Sequence, residues 1–446
     1  MKILDFFRKP SFARGVHPLQ HKETAKTAIR RMPFAPRLTV PLSQHVGKPS
    51  KPIVGVGQEV LRGQIIAVAD GYVSVPAHAP VSGIVEAVEL RPTLSGEWQQ
   101  SIVIRAYEAS SQQVLYGEQI DVDLLTAEQV ILAVQNIGMV GLGGAAFPTH
   151  AKLAAPKEYP IEHLLVNGCE CEPFLTADHR MMVEWPQHLV TGIRFAMKAS
   201  GAKRAMIGIE DNKPDAIAAI NKVLPANSNI SVHAVKTKYP QGAAEMLVKA
   251  LLGREVPAGA RSYQIGVVMQ NVGTLAELGR LIPRSHGFIE RVVTVAGSGV
   301  SKPGNYLVPI GTPLRFVLEQ AGVKSEAVEV ILGGPMMGNA ISTLDVPVTK
   351  AISGILVFDR STNPAYQGKV HPCIKCGECV NACPKGLNPS ILGMLAEHRE
   401  YDVMAERYHL DGCFECGCCS YVCPSHIPLV QHFRVAKQVV HERQAA

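Results

Sequence analysis

The sequence predicts a multidomain α/β protein, and three observations carry that prediction. Its 446 residues exceed what one hydrophobic core of usual size organises, so two to four domains are expected. Short Val/Ile runs alternate with helical patterns across residues 164–331. Nine of the eleven cysteines crowd between Cys373 and Cys423. We read five segments: an N-terminal stretch (1–37), a β-sandwich (38–115), a central α/β domain (116–260), a small β-rich unit (261–345) and a helical cysteine-rich domain (346–446).

Composition narrows the class. Hydrophobic residues make up 47% and charged residues 18%, which is globular rather than disordered. The net charge of +6 comes without a long basic run, so nucleic acid is not an implied partner, although a basic face toward an acidic membrane or protein remains open. No stretch approaches 18 consecutive apolar residues, and residues 1–15 lack the apolar core of a signal peptide. The chain is therefore expected to stay cytosolic. The cysteine gaps of two and three residues suit metal ligation better than a disulfide framework.

The first residues set Ile3, Leu4, Phe6 and Phe7 among Lys2, Arg8 and Lys9, which suits either a short amphipathic contact or a terminus tucked against its own domain. Gly15-Val-His17-Pro18, His21-Lys22 and Thr24 follow as a polar stretch without a readable mechanism; the two histidines read as structural. Residues 38–104 alternate short apolar runs with Gly and Pro, the pattern of a small β-sandwich. Gly57-Gln-Glu-Val-Leu-Arg-Gly63 and Ala79-Pro-Val-Ser-Gly83 resemble the half-motifs of a biotinyl or lipoyl carrier. No lysine stands in the turn between them, so no carrier role is expected.

A capped helix begins at Thr126 and leads into Gly141-Leu-Gly143-Gly144-Ala-Ala-Phe147-Pro148-Thr149-His-Ala-Lys152. Glycines there let backbone amides approach a phosphate or a flavin edge, and Lys152 is placed to neutralise a phosphate. Such a loop is as often a plain tight turn. Val166-Asn167-Gly-Cys169-Glu170-Cys171-Glu172-Pro173 follows a β-run and sets two carboxylates at a strand end, where α/β sheets bind ligands. Two acids there suit ribose hydroxyls. Cys169 and Cys171 read as pocket-lining thiols, since two ligands make a poor metal site. A further β-rich unit opens at Arg291 and ends near Leu332-Gly-Gly-Pro-Met-Met-Gly338.

The C-terminal segment is the most specific. Cys373-Ile-Lys-Cys376-Gly-Glu-Cys379-Val-Asn-Ala-Cys383-Pro384 and Cys413-Phe-Glu-Cys416-Gly-Cys-Cys419-Ser-Tyr-Val-Cys423-Pro424 share one spacing, C-x-x-C-x-x-C-x-x-x-C-P. Three thiolates so spaced wrap a [4Fe–4S] cubane, and the fourth cysteine of each run serves the other cluster. One cluster is therefore assigned Cys373, Cys376, Cys379 and Cys423, and the second Cys413, Cys416, Cys419 and Cys383. Structural zinc also uses C-x-x-C pairs, but has no use for eight cysteines in this cadence. Cys418 is left as a spare buried thiol. Pro389 and the apolar residues 391–404 favour a helical ferredoxin over the short βαββαβ type.

With these residues in hand, the chain resembles the RnfC/RsxC family of Rnf-type electron-transport complexes nearly end to end. The Gly-Val-His-Pro start, the glycine loop, Asn-Gly-Cys-Glu-Cys-Glu-Pro and the double cysteine signature all fit. Its centre is similar to the NADH-binding subunit of respiratory complex I. The resemblance implies noncovalent FMN near Gly141, Gly143, Gly144, Lys152 and Asn167, with Glu170 and Glu172 toward NADH or NAD. It further implies that Tyr239, Gly242, Asn271 and Thr274 border the flavin phosphate. Cys169 replaces an aspartate of the complex I family, and Ala243 and Ala244 stand where that family has glutamates, with Glu245 as a candidate substitute. A β-grasp unit of the soluble-ligand-binding type is implied around residues 291–338. So are membrane subunits and an iron–sulfur subunit as partners, and a peripheral place on the cytoplasmic face of the bacterial inner membrane. The implied reaction runs between NADH and the clusters, in either direction, through FMN. The alternatives are a soluble corrin reductase, a noncatalytic two-cluster relay or scaffold, and a zinc-stabilised interaction module, which the ligand count disfavours.

Overall fold

The structure, a computed structural model, describes residues 9–93, 96–108, 111–115, 117, 119–325, 327–362 and 368–445. Most of the expected N-terminal amphipathic contact, residues 1–8, lies outside the described residues.

The N-terminal sandwich is built from hairpins whose inward side chains close a small core of Leu38, Val40, Ile66, Val85, Ile102 and Ile104. One sheet orders Arg37–Pro41, Trp98–Ala106, Gly83–Pro92 and Glu59–Val60; the other orders Lys51–Pro52, Ile65–Val68 and Ala77–His78. The two carrier-like half-motifs pair with each other, Gly63 N–H donating to the Ala79 carbonyl and Ala79 N–H to that of Gln64, at 2.8 Å each.

The central unit is a four-stranded parallel sheet ordered Ile230–Val235, Arg204–Glu210, His163–Gly168, Val267–Asn271. Covered by helices, its middle strands are apolar almost throughout, as Leu164, Leu165, Val166, Ile207 and Ile209 show by being fully buried. Helices Pro186–Ser200 and Val272–Leu281 cross so closely that a Cβ on Gly192 would lie 1.7 Å from the Leu275 carbonyl oxygen, and one on Gly279 1.9 Å from that of His188. Two glycines are what let these backbones touch.

The boundary expected at residue 260 moves. Val267–Asn271 pairs with His163–Gly168, and its helix packs on the same core, so the α/β unit reaches past residue 280. The β-grasp unit is a six-stranded sheet ordered Arg30–Arg31, Gly304–Pro309, Glu290–Ala296, Gly354–Asp359, Ala327–Leu332, Asn339–Ile341. It therefore extends beyond the expected end at 345, because the buried strand Gly354–Asp359 sits in the middle of the sheet. It also borrows its edge strand from the N-terminal stretch. The C-terminal unit is helical as expected, with Asn388 capping Pro389–Glu397 and a core of Leu392, Met404, Leu410 and Phe433.

Candidate functional site

The glycine loop is held at its base and open at its tip. Gly141 N–H donates to the Phe147 carbonyl, which closes the loop on itself, and Leu142 N–H donates to Thr274 Oγ1 at 2.9 Å. Arg291, fully desolvated within the protein, donates from Nη2 to the Leu142 carbonyl at 2.9 Å. Asn271 caps the helix Val272–Leu281 by accepting from Thr274 N–H, and a Cβ on Gly143 would rest on its side chain. Gly143, Gly144 and Ala145 are exposed, and their N–H groups have no partner among the described residues. Gly144 has φ +114°, a conformation other residues rarely adopt.

Lys152 follows on the short helix Thr149–Leu153. Its side chain reaches water, while the surrounding protein lowers its pKa by desolvation. No acid pairs with it among the described residues. Free amides, a close-approach glycine and an unpaired cation at the carboxyl edge of a parallel sheet are the parts an anionic nucleotide requires, so these residues fit FMN.

The acid loop that follows the strand His163–Gly168 is fastened from both sides. Lys213, buried, donates to the Cys169 carbonyl at 2.6 Å and to Glu210 Oε2 at 2.7 Å. Lys22 donates all three of its N–H groups to the carbonyls of Glu170, Glu172 and Leu175, at 2.8, 2.7 and 2.6 Å. Asn167 spans the loop's start, donating to the Gly242 carbonyl and accepting from Cys169 N–H. The polar stretch that lacked a mechanism thus supplies one: residue 22 is the loop's tripod, and His21 stacks on Phe174 with ring centres 4.6 Å apart.

Both carboxylates have partners within the chain. Glu170 turns both oxygens inward, accepting from the N–H groups of Asp178 and His179 at the start of helix Ala177–Glu184. Glu172 accepts from Met336 and Met337 N–H, at 3.0 and 2.9 Å, in the β-grasp unit. Burial, only partly offset by those donors, raises its pKa to about 7. Burial and the neighbouring Glu170 charge likewise raise Asp178 to about 7, while Asn271 Nδ2 donates to it at 2.6 Å. Tyr239 is buried, and its hydroxyl donates to the Cys416 carbonyl at 2.7 Å. Glu245, the candidate substitute for the missing glutamates, is paired with Lys385 of the cysteine-rich unit.

The eight cysteines of the two runs gather in two places. Cys373, Cys376, Cys379 and Cys423 line one cavity. Cys383 lies with Cys413, Cys416 and Cys419, close enough for their charges to interact. Each run repeats the same backbone: Lys375 and Glu415 have φ +57° and +59°, Gly377 and Gly417 both +80°, and the N–H of Lys375 and Glu415 points at the first thiol of its run at 3.4 Å. Loops that aim amides at sulfur fit cubane clusters. Cys418 is fully buried beside Cys416, and its thiol is also close enough for charge interaction with Cys383 and Cys419. The second set is the inner one, packed with Tyr239, Cys171 and Met336; in the first, Cys373 and Cys376 are exposed.

Comparisons with known proteins agree with this arrangement. Family models match for the RnfC barrel sandwich hybrid domain at residues 10–109, the Nuo51 FMN-binding domain at 134–280, the SLBB domain at 292–340 and a 4Fe-4S dicluster domain at 372–427. The corresponding subunit of the proton-translocating ferredoxin:NAD(+) oxidoreductase complex of Clostridium ljungdahlii is 40% identical, over 90% of this chain and 87% of the relative. That of the Na(+)-translocating ferredoxin:NAD(+) oxidoreductase complex of Acetobacterium woodii is also 40% identical, covering 88% of each. A solved structure of an NAD+-reducing [NiFe]-hydrogenase in its air-oxidized state superposes with a TM-score of 0.51 at 22% identity, over 72% of this chain and 64% of that one, a likeness of fold. Among the described residues no helix is long and apolar enough to cross a membrane. The chain is an iron–sulfur flavoprotein with an FMN-binding domain and two [4Fe–4S] sites, and it belongs to the RnfC family of ion-translocating oxidoreductase complexes.

Proposed function

We propose that this subunit exchanges electrons between NADH and membrane partners, in one direction or the other, with FMN at the glycine loop and the two clusters as the wire. The observation that supports it best is continuity: the cleft, the acid loop, Tyr239 and the inner cysteine set touch in sequence. FMN, when bound, takes electrons as a pair and passes them on singly, which nicotinamide and iron–sulfur clusters respectively require. Gly143, Gly144 and Ala145 offer free amides to its phosphate above the closure that Gly141 makes, Lys152 neutralises that phosphate, and Asn271 and Thr274 hold the loop in place. Asn167 and Gly242 close the floor of the cleft. The nicotinamide nucleotide reaches the open side, with its contacts made by groups other than the inward-turned Glu170 and Glu172 oxygens.

The exposed edge at Cys373 and Cys376 is then where electrons meet an iron–sulfur partner, and the membrane subunits of the complex carry the ion step. On this reading the protein sits peripherally on the cytoplasmic face. Its test is flavin retention. Lys152→Ala and Gly144→Val are expected to lower FMN affinity by about tenfold or more, one charge-assisted contact being worth about 1.5–3 kcal/mol, with iron content unchanged. Undiminished FMN affinity in both variants would place the flavin elsewhere.

A further inference from the structure

The β-grasp unit's loop at residues 333–339 joins three parts of the molecule, and Glu172 is its centre. From the acid loop, Glu172 accepts from the N–H of Met336 and Met337. Gly334 lies so close that a Cβ there would sit 2.2 Å from Glu172 Oε2. On the other side, the Met336 carbonyl backs onto Gly417, where a Cβ would come within 2.7 Å of it. Gly417 stands between Cys416 and Cys419 in the inner set.

The C-terminal helix secures the same loop. Arg434 donates from Nη2 to the Met337 carbonyl at 2.9 Å and from Nη1 to Asn339 Oδ1 at 3.0 Å. Its Nε reaches Glu415 Oε2 at 3.2 Å, inside the second cysteine run, and Lys437 pairs with the other Glu415 oxygen at 3.0 Å. A second strand of contact runs through Tyr239, whose hydroxyl lies 2.7 Å from the Cys416 carbonyl and 3.5 Å from Glu172 Oε1. Two paths from one carboxylate therefore end on adjacent residues, Cys416 and Gly417.

We infer that Glu172 is a positioning residue: it grips the 333–339 loop, and this loop and Tyr239 hold the inner cluster's binding loop in register with the flavin cleft. The role differs from the nucleotide contact that the resemblance to complex I implied. It also gives the β-grasp unit a task, as the wedge that fixes the two electron-carrying domains. The kinetic part of the inference rests on the proposed FMN site; the mechanical part does not. Electron transfer decays steeply with separation, so a loose wedge slows transfer between the domains.

The experiment compares the full chain with Glu172→Ala, Glu172→Gln and Arg434→Ala. Amide hydrogen exchange across residues 334–338 is the first readout. Loss of the carboxylate is expected to speed it by about tenfold or more, the worth of a hydrogen bond to a charged acceptor. Arg434→Ala, far from the cleft, should do the same from the other side. Glu172→Gln keeps one acceptor and turns an NH2 toward the other amide, so it should fall between, and it serves if the alanine variant fails to fold. The second readout is anaerobic stopped flow with NADH, in which the lag between flavin and cluster bleaching should widen in Glu172→Ala and Arg434→Ala. Wild-type exchange at 334–338 in both Glu172 variants would overturn the inference, as would slower flavin bleaching with an unchanged lag, which would make Glu172 a nucleotide contact. Absence of flavin from the wild-type chain would sink the FMN reading alone, since the exchange comparison still decides the wedge.

Discussion

Lys22→Met removes the ammonium beneath the acid loop while keeping the apolar stem. The three carbonyls of Glu170, Glu172 and Leu175 would lose donors at 2.8, 2.7 and 2.6 Å. A hydrogen bond to a charged group is worth about 1.5–3 kcal/mol, so the three together contribute at most about 9 kcal/mol. Burial holds the Lys22 pKa below its ordinary value, which means the ammonium carries a desolvation cost that the methionine relieves. The net loss expected is about 2–3 kcal/mol. It should be local, because residues 9–24 are also fastened by Val16 to Tyr239 and by Thr24 to Thr176. Thermal unfolding with hydrogen exchange over residues 170–176 is the assay, and Lys22→Arg is the control, since a planar guanidinium does not reproduce three convergent donors. Stability within about 0.5 kcal/mol of wild type, with unchanged exchange at 170–176, would refute the tripod.

Three further outcomes follow from the geometry. Cys383→Ser should remove the inner cluster although the residue belongs to the first run, lowering iron from about eight to about four per chain; loss of the outer cluster's signal instead would refute crossed ligation. Gly279→Ala drives a methyl against the His188 carbonyl and should cost about 1–3 kcal/mol by forcing the two helices apart, read as a lowered melting temperature. Lys350, buried with donations only to the Pro76 and Gly138 carbonyls, has its pKa pushed down to about 7 by desolvation. Its folded pKa lies below the unfolded one, so above pH 7 the unfolded chain holds a proton that the folded chain has shed, and stability rises toward pH 10. Relative to Lys350→Met, the wild type should gain about 1.4 kcal/mol per pH unit between pH 7.5 and 9, and a gap independent of pH would show the amine charged throughout.

What the sequence disclosed and what it hid divide along chain distance. The dicluster domain was legible because its signature is local: in each run three thiols within seven residues, a glycine between them and a fourth cysteine before proline. The glycine loop was legible for the same reason. The hydrogen-bond partners of Glu170 and Glu172 were not, because the donors to Glu172 lie more than 160 residues away and Glu170 reaches the start of a helix whose own N-cap, Thr176, makes no side-chain capping bond. Lys22 read as an ordinary polar residue since its three acceptors come from one loop some 150 residues downstream. Residues 267–271 were assigned to the wrong unit because a Val-rich run looks alike in a parallel sheet and in a β-grasp until its neighbour is known. Arg30 and Arg31 form an edge strand that no hydrophobic pattern announces, held through Glu290 instead.

The most direct measurement is anaerobic purification of the chain by itself, with flavin and iron counted and absorbance followed as NADH is added. Bound FMN, about eight irons per chain and bleaching of the flavin followed by the clusters are the expected result. A chain that carries both clusters and either lacks FMN or leaves it oxidised in excess NADH would contradict the proposed electron path.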